Sequence, residues 1–213
     1  MIGIHDLGLF VVAGFLLNIT PGPDMTYIAA RAAAGGFRAG VAATLGITAG
    51  CVVHTLAAAA GLSVLLATSA AAFTVVKWCG AAYLLYAGIR LVLSSVRAPR
   101  DATIETLLPP ASPLRIFREA FVINVFNPKV ALFFLAFLPQ FIAFDAPDKA
   151  LAFVLLGTVF NFNSLFVNLP CAWLASRAGR RWRGQADALH WMRRIVGGVF
   201  VLLAVRLAAL SRD

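Results

Sequence analysis

The sequence predicts an all-α integral membrane protein with six transmembrane helices, arranged as two inverted three-helix repeats in which helices 1 and 4 are broken at prolines. Three observations predict this fold class. Of 213 residues, 61% are hydrophobic and 13% are charged, whereas about 25% are charged in a soluble domain. The apolar residues gather into six runs, each near the roughly 20 residues that span a bilayer. The two halves also share features at matching positions. These observations exclude soluble, disordered and fibrous proteins.

The apolar segments define one transmembrane domain, residues 1–213. They cover residues 7–30, 41–67, 70–94, 120–143, 151–176 and 195–210. We assign the first repeat to about 1–96, a cytoplasmic linker to about 97–118 and the second repeat to about 119–213. The residues before Leu7 include Asp6 and no Lys or Arg. Because a signal peptide begins with positive charge, we expect the first segment to stay in the mature protein.

The positive charges indicate the orientation in the membrane. The net charge is +9, and Lys and Arg gather in three of the connections. These hold Arg31 and Arg38 after the first segment, Arg97, Arg100, Arg115 and Arg118 after the third, and the Arg-rich stretch 177–194 after the fifth. Such loops are typically cytoplasmic, so both termini are predicted to be periplasmic. Basic residues in short loops indicate contact with the lipid bilayer, and no nucleic-acid partner is expected.

An internal repeat supports two related halves. Residues 80–87 in the third segment resemble residues 197–204 in the sixth. The first and fourth segments each carry an Asn followed by a Pro, namely Asn18 with Pro21 and Asn124 with Pro128. Three helices are an odd number, so the second half must have the opposite orientation. Inverted repeats with broken helices at matching positions are typical of secondary transporters.

The first apolar segment contains a break and a charge. Pro21, Gly22 and Pro23 cannot continue a helix, because each proline lacks a backbone donor. Asp24 follows at once. A carboxylate inside the membrane costs about 2.5 to 3.5 kcal/mol on insertion scales and usually marks a functional path. The alternative interpretation is a plain proline kink, which is common in membrane helices.

The fourth segment contains the matching break, Asn127-Pro128-Lys129. At 1.5 Å per residue, Asp24 lies about 9 Å and Lys129 about 13 Å from the cytoplasmic ends of their segments. Opposite charges at similar depth predict a pair across a central cavity. The alternative is that Lys129 extends to the inner membrane surface.

Two further segments carry polar or small residues on one face. His54 in the second segment is either a proton carrier, since imidazole titrates near neutral pH, or a hydrogen-bonded packing residue. The pattern Gly46-x-x-x-Gly50 favours close packing and permits a homodimer. In the fifth segment, Gly157, Asn161, Ser164 and Asn168 fall within about 60° of one another. We expect this stripe to line a cavity, although interhelical hydrogen bonding is the alternative; Asn163 lies on another face and is unexplained.

The remaining residue types point away from cofactor chemistry. Cys51, Cys79 and Cys171 are far apart in apolar runs, which predicts buried thiols without a disulfide or a thiolate metal site. No metalloprotease, nucleotide-binding or hydrolase signature is present in the sequence. We therefore expect no cofactor, no metal and no enzymatic activity.

The motifs resemble the LysE/RhtB family of bacterial amino-acid exporters over nearly the whole chain. Three stretches carry the resemblance: Asn18-Ile-Thr-Pro-Gly-Pro-Asp24 with Gly35-Gly36-Phe-Arg38-Ala-Gly40 and Gly46, then Asn124-Val-Phe-Asn-Pro-Lys-Val-Ala-Leu-Phe-Phe-Leu-Ala-Phe-Leu-Pro-Gln-Phe141, then Arg194-Ile-Val-Gly-Gly198 through Arg206-Leu207. The resemblance implies a bacterial cytoplasmic (inner) membrane protein with six transmembrane helices that exports amino acids, driven by the proton motive force. The Pro-Gly-Pro form is similar to the RhtB branch, which is associated with homoserine, threonine and other neutral amino acids.

The chain departs from the family at Cys51, where many members carry Asp. Proton coupling would then fall to Asp24 or His54. We expect alternating access around a substrate site between the two breaks, where freed backbone groups, Asp24 and Lys129 receive an amino acid. The predicted substrate-binding residues are Asn18, Thr20, Pro21, Gly22, Pro23, Asp24, Asn127, Pro128, Lys129, Asn161, Ser164 and Asn168.

Three alternatives remain open from the residues alone. An exporter of metal or other inorganic ions would need clustered Asp, Glu, His or Cys ligands. A membrane thiol-disulfide carrier would need two partner cysteines near the breaks, and no Cys adjoins Pro21 or Pro128. A membrane-embedded enzyme would need a nucleophile and a base in one cavity, for which Ser164 with His54 is the candidate.

Overall fold

The computed structural model describes residues 3–63 and 109–178 and, outside these ranges, single helical positions between 74 and 93 and at 198, 201 and 205. The described helices are α1 (Leu7–Ile19), α2 (Pro23–Ala57) with a π-helical continuation (Ala58–Leu62), α3 (Pro113–Val125), α4 (Pro128–Ala136) with a 3₁₀ turn (Leu138–Phe141), and α5 (Lys149–Ala178). Within these ranges there is no strand, and the only extended pairing is an isolated bridge between Ile4 and Ile142. The prediction of an all-α chain is confirmed for the described part.

Two to three stretches of the described residues are long and apolar enough to cross a membrane, whereas α1 is shorter. Residues Pro23–Leu62 and Lys149–Arg177 each qualify alone, and the pair α3 and α4 qualifies together although it is bent by 49°. The third and sixth predicted segments, the similar stretches 80–87 and 197–204, Cys79 and the Arg-rich stretch beyond residue 178 lie largely or wholly outside the described residues. The six-helix count and the inverted repeat therefore stay predictions.

Helix α2 reverses direction at one residue. Gly36 has φ +76°, outside the helical region, whereas α2 is helical on either side. Asn124 of α3 hydrogen bonds to Asp24 and also lies 2.8 Å from where a Cβ of Gly50 would stand. An uninterrupted helix would hold residues 24 and 50 about 39 Å apart. The chain therefore folds back at Gly36 into two antiparallel arms, residues 23–35 and 37–57, which we call the first and second arm.

Helical structure extends beyond the predicted segment ends at two places. Arg31 was expected in a loop, but it lies within the first arm, because Gly36 alone makes the turn with the positive φ that glycine tolerates. The linker predicted at about 97–118 is helical from Pro113 onwards. The side chain of Ser112 caps that helix by accepting a hydrogen bond from the Arg115 amide at 3.3 Å, and Pro113 occupies the first turn.

Aromatic side chains from three helices build the larger core. Phe10 of α1, Phe133 of α4, Phe137 just after α4 and Phe160 of α5 are all buried. The Phe133 ring centroid lies 4.8 Å from that of Phe160 and 4.9 Å from that of Phe137. Rings at such separations attract one another beyond the effect of their buried area. This cluster holds α1, α4 and α5 together directly beside the two helix breaks.

Small residues form the second core, between the arms of α2 and helices α3 and α5. Ala32, Ala43, Ala120 and Ala172 are fully buried there. Gly46 and Gly50 face α3, where an added Cβ would meet Ala120 at 2.7 Å and Asn124 at 2.8 Å. The prediction that the Gly46-x-x-x-Gly50 face serves packing is confirmed. Because that face packs inside the chain, it does not supply the free surface on which the predicted homodimer rested.

Candidate functional site

The first helix break frees backbone carbonyls at the end of α1. Pro21 has no N–H, so the Leu17 carbonyl lacks the donor that an intact helix would give it. The amide of Thr20 partly replaces it, at 3.2 Å from the Leu17 oxygen. The Thr20 hydroxyl donates back to the Leu16 carbonyl at 2.7 Å. The chain then passes through Pro21 and Gly22, and α2 begins at Pro23.

Lys129 of α4 supplies the missing donors. Its Nζ lies 3.2 Å from the Leu17 carbonyl oxygen and 3.1 Å from that of Thr20. The carboxyl end of a helix carries partial negative charge, which favours an ammonium group there. A Cβ at Gly22 would stand 3.1 Å from Nζ, so glycine leaves room for the lysine. The ammonium is thus held inside the protein, and the alternative in which Lys129 extends to the membrane surface is wrong.

The second helix break also frees a backbone carbonyl, which a side chain from another helix satisfies. Pro128 has no N–H, which frees the carbonyl of Asn124. That oxygen accepts hydrogen bonds from the Asn127 amide at 2.9 Å and from Nε2 of His54 at 3.1 Å. A carbonyl oxygen only accepts, so Nε2 carries the proton. The Asn127 side chain caps α4 by accepting from the Lys129 amide at 3.0 Å. His54 therefore satisfies a broken helix, which is the hydrogen-bonded packing interpretation.

Asp24 and Asn124 join the two breaks. Asn124 Nδ2 donates to Asp24 Oδ2 at 3.0 Å. Asn124 is only 1% exposed and Asp24 only 8%. Asp24 lies in the first turn of α2, where the positive end of the helix dipole favours a carboxylate. The second carboxylate oxygen of Asp24 and the amide oxygen of Asn124, both named Oδ1, are buried without a hydrogen-bond partner among the described residues. A buried acceptor left unpaired costs about 1 to 3 kcal/mol.

These residues surround a cavity between α1, the two arms of α2, α3, α4 and α5. Its lining consists of Asn18, Asp24, Met25, Ile47, Cys51, Asn124, Lys129, Val130, Phe160, Ser164 and Asn168. The cavity has room for about one water molecule. It therefore combines a carboxylate, an ammonium and several amides with an apolar wall, in a space smaller than an amino acid.

The structure brings together part of the predicted substrate site. Asn18, Asp24, Lys129, Ser164 and Asn168 line the cavity. Thr20, Pro21, Gly22, Pro23, Asn127 and Pro128 lie at the two breaks and do not line it. Asn161 is buried with its Oδ1 unpaired, and neither it nor His54 lines the cavity. The predicted pair of Asp24 and Lys129 shares the cavity without a direct ion pair, since the lysine binds carbonyls instead.

Sequence reasoning missed six of the eleven lining residues, namely Met25, Ile47, Cys51, Asn124, Val130 and Phe160. Asn124 was predicted only as part of the break motif, and Cys51 only as a buried thiol. A usable signal existed for Asn124, since it stands four residues before Pro128 and so has a freed carbonyl. Cys51 lies one turn from Ile47, which also lines the cavity. No comparable signal marked Cys51, apart from its place where many family members carry Asp.

A second polar cluster lies at the other end of the first arm. Arg31, which is 5% exposed, donates from Nη2 to Glu119 Oε2 at 2.5 Å and from Nη1 to the Pro109 carbonyl at 3.1 Å. The Tyr27 hydroxyl donates to the same Glu119 oxygen at 2.6 Å. Arg115 donates to the other Glu119 oxygen at 2.8 Å. We call Tyr27, Arg31, Arg115 and Glu119 the Glu119 network; its hydrogen bonds hold the first arm against α3.

The described residues give little support to an ion exporter, a thiol-disulfide carrier or a membrane-embedded enzyme. In that part of the chain, no group of three or more His, Cys, Asp or Glu is placed to hold a metal ion. Cys51 and Cys171 are both free thiols. Ser164 accepts a long hydrogen bond, 3.4 Å, from Asn168, whereas His54 binds the Asn124 carbonyl, so the two do not form a nucleophile and base pair.

Comparison with known proteins agrees with the resemblance seen in the motifs. The model of the LysE type translocator family matches residues 15–211. The leucine efflux protein of Salmonella typhimurium is 28% identical over 210 residues, covering 98% of this chain and 97% of that protein. The homoserine/homoserine lactone efflux protein of the same organism is 30% identical over 200 residues, 94% of each chain. No solved structure matches the chain. The chain belongs to the LysE type translocator family of membrane proteins.

Proposed function

We propose that this protein is a secondary active exporter in the bacterial inner membrane, which moves neutral amino acids or close derivatives such as homoserine outward by proton-driven alternating access. One observation carries the proposal: Asp24 and Lys129, a carboxylate and an ammonium, line the same buried cavity between two helix breaks. An amino acid at neutral pH carries the same two charges. Broken helices at the centre of a membrane protein are where transporters commonly bind substrate.

The uncharged wall of the cavity supports a neutral side chain on the substrate. Met25, Ile47, Val130 and Phe160 contribute apolar surface. Asp24 and Lys129 match the ammonium and carboxylate groups of an amino acid. A further charge on the side chain of the substrate would find no oppositely charged partner among the other lining residues. Relatives named for leucine and homoserine efflux act on substrates of this kind.

The size of the cavity supports a conformational cycle. The space holds about one water molecule, so an amino acid binds only if the surrounding helices move apart. The breaks at residues 20–22 and 126–127 divide α1 from α2 and α3 from α4, and such interruptions let half-helices move relative to one another. Alternating access around a fixed central site then follows the general pattern of repeat-built transporters.

Asp24 is the residue we propose for proton coupling. It is the buried carboxylate of the cavity, and a proton moving inward across 100 mV releases about 2.3 kcal/mol. That energy sustains an outward concentration ratio of about 50-fold for a substrate with no net charge. His54, the other candidate, is held at the Asn124 carbonyl instead of facing the cavity.

Growth protection tests the proposal. An export-deficient bacterium with and without the protein would be grown on toxic levels of single amino acids and their dipeptides. We expect protection against one or a few neutral amino acids, and efflux from preloaded cells that stops when a protonophore is added. The Asp24→Asn variant, present in the membrane in equal amount, should lose proton-driven export and is therefore the matched negative control.

Two results would contradict the proposal. Absence of protection across the whole panel, with the protein confirmed in the membrane, would exclude amino acids as substrates. Protection that persists unchanged with the protonophore would leave amino-acid export standing and exclude the proton motive force as its driver.

A further inference from the structure

Two oxygens at the contact between Asp24 and Asn124, the Oδ1 atom of each residue, lack a hydrogen-bond donor in the described part of the chain. Asn124 Nδ2 faces the carboxylate of Asp24 at 3.0 Å, so the amide oxygen of Asn124 is the atom left over. Both residues line the cavity and are more than nine-tenths buried. Neither Asp24 Oδ1 nor Asn124 Oδ1 has a partner. Two unpaired acceptors, one of them on a carboxylate, are the surroundings that suit an ammonium group with its three donors.

Two charged or ring donors near these oxygens are already in use. Lys129 directs its ammonium to the carbonyls of Leu17 and Thr20. His54 donates to the backbone oxygen of Asn124 and not to its side chain. Asn18 Nδ2 also lines the cavity but is itself unpaired and makes no hydrogen bond to either oxygen. Among the described residues no group therefore donates to the two free oxygens, which leaves them open to a donor on a bound molecule.

We propose that Asn124 is a substrate-contacting specificity residue, whose Oδ1 joins Asp24 Oδ1 in accepting hydrogen bonds from the α-ammonium group of the exported amino acid. This inference rests on the proposed function and adds a requirement to it: the substrate must carry an α-amino group. The apolar wall of the cavity then contacts the side chain of the substrate.

Gly50 fixes where Asn124 stands. A Cβ at position 50 would lie 2.8 Å from both Cβ and Oδ1 of Asn124. The second arm thus passes directly against Asn124, and the amide side chain has little freedom to turn elsewhere. Such pre-positioning lowers the entropy lost when a ligand binds.

The test uses inverted membrane vesicles that contain the full-length protein, with radiolabelled leucine as the probe. The competitor is 4-methylpentanoate, which is leucine without its amino group; homoserine with 4-hydroxybutanoate is the second pair. For the wild type we expect the analogue to compete at least about tenfold more weakly than the amino acid, since a hydrogen bond to a charged group is worth about 1.5 to 3 kcal/mol.

Two variants separate contact from mere positioning. Asn124→Leu removes one of the two acceptor oxygens and should raise KM for leucine about 10- to 100-fold with a smaller change in maximal rate, and should clearly reduce the preference over the analogue. Asn124→Asp keeps an acceptor oxygen but loses the amide donor to Asp24, and should keep most of the preference. Thr44→Val, which removes a buried, unpaired hydroxyl outside the cavity lining, is the matched control and should behave as the wild type.

The outcomes that overturn the inference are distinct from failure of the proposed function. Equal competition by 4-methylpentanoate and leucine in the wild type would exclude an ammonium site, even if Asn124→Leu does not fold. A loss of the preference in Asn124→Asp as large as that in Asn124→Leu would mean that Asn124 only positions Asp24. Absence of any amino-acid transport by the wild type would instead contradict the proposed function itself.

Discussion

The ammonium of Lys129 lies 3.2 Å from the carbonyl oxygen of Leu17, the group that Pro21 deprives of its helical donor. The two residues belong to different broken helices, so the break in one is completed by a side chain at the break in the other. His54 does the same for the carbonyl that Pro128 frees. A break in a membrane helix survives only where its backbone groups find partners, and here the partners are the charged and polar residues around the cavity.

Replacing Lys129 should therefore destabilise the protein. Lys129→Met leaves the Thr20 carbonyl without its lysine donor, at about 1 to 3 kcal/mol, and leaves the Leu17 carbonyl with the Thr20 amide alone. We expect a clear drop in the thermal unfolding midpoint of the detergent-purified protein. Lys149→Met is the matched control, since Lys149 makes one long hydrogen bond of 3.4 Å to the Ala146 carbonyl and stands 5.6 Å from the centre of the Phe144 ring. It should unfold within a few degrees of the wild type. Equal midpoints for the two variants would show that the contacts of Lys129 contribute no stability.

His54 should act as a hydrogen-bond donor and not as a proton carrier. His54→Gln keeps a donor of similar reach, so we expect export and its pH dependence to remain near those of the wild type. His54→Phe removes the donor and should lower stability by about 1 to 3 kcal/mol. The measurement is leucine transport in vesicles as a function of pH, together with thermal unfolding. A changed pH profile in a stable His54→Gln variant would return proton coupling to His54.

The close approach of the second arm to α3 should make Gly50 intolerant of a side chain. Gly50→Ala places a methyl group 2.8 Å from Asn124, and overpacking of this kind costs about 1 to 3 kcal/mol. Gly61→Ala is the control, because no atom of the described residues lies within 4 Å of its added Cβ. Thermal unfolding should show a lower midpoint for Gly50→Ala and an unchanged or higher one for Gly61→Ala. The reverse order would mean that the packing between the second arm and α3 is looser than described.

The Glu119 network should be sensitive on its buried side and tolerant on its exposed side. Glu119→Gln leaves the guanidinium of Arg31, whose side chain is 6% exposed, without its charged partner. Breaking a buried ion pair costs about 3 to 5 kcal/mol. Arg115, with a side chain 67% exposed, contributes at most about 1 kcal/mol through the same carboxylate. Unfolding in detergent should rank Glu119→Gln far below Arg115→Gln, and similar losses for both would contradict the burial of Arg31.

The sequence predicted the helix breaks better than the turns. Prolines at 21, 23 and 128 each remove a helical donor, so the interruptions could be expected. Pro170 lies inside α5 without ending it, so a proline alone does not decide where a helix breaks. The reversal at Gly36 could not be placed, because neighbouring glycines offer several turning points and only the packing against α3 selects one. Arg31 and Arg115 looked like loop charges. The sequence does not reveal that Arg31 lies beside Glu119 of another helix, or that Arg115 and Glu119 share one helix.

The site was predicted in part for a similar reason. Intramembrane charge identified Asp24 and Lys129, and helical spacing placed Ser164 and Asn168 on one face. What each charge contacts depends on the three-dimensional arrangement. Lys129 binds the carbonyls of α1 instead of Asp24, and Asn124 takes the place beside the carboxylate. Asn124 carries no charge, so no energetic cost of membrane insertion marked it in the sequence. Its position in the cavity is seen only in the structure.

Proton coupling through Asp24 is the central claim, and one measurement tests it most directly. Inverted membrane vesicles with the wild type or with Asp24→Asn would be given an imposed pH gradient, and leucine accumulation would be followed across external pH. We expect gradient-driven accumulation in the wild type, and in Asp24→Asn only downhill movement that no longer depends on pH. Full gradient-driven accumulation with an unchanged pH dependence in Asp24→Asn would contradict the account.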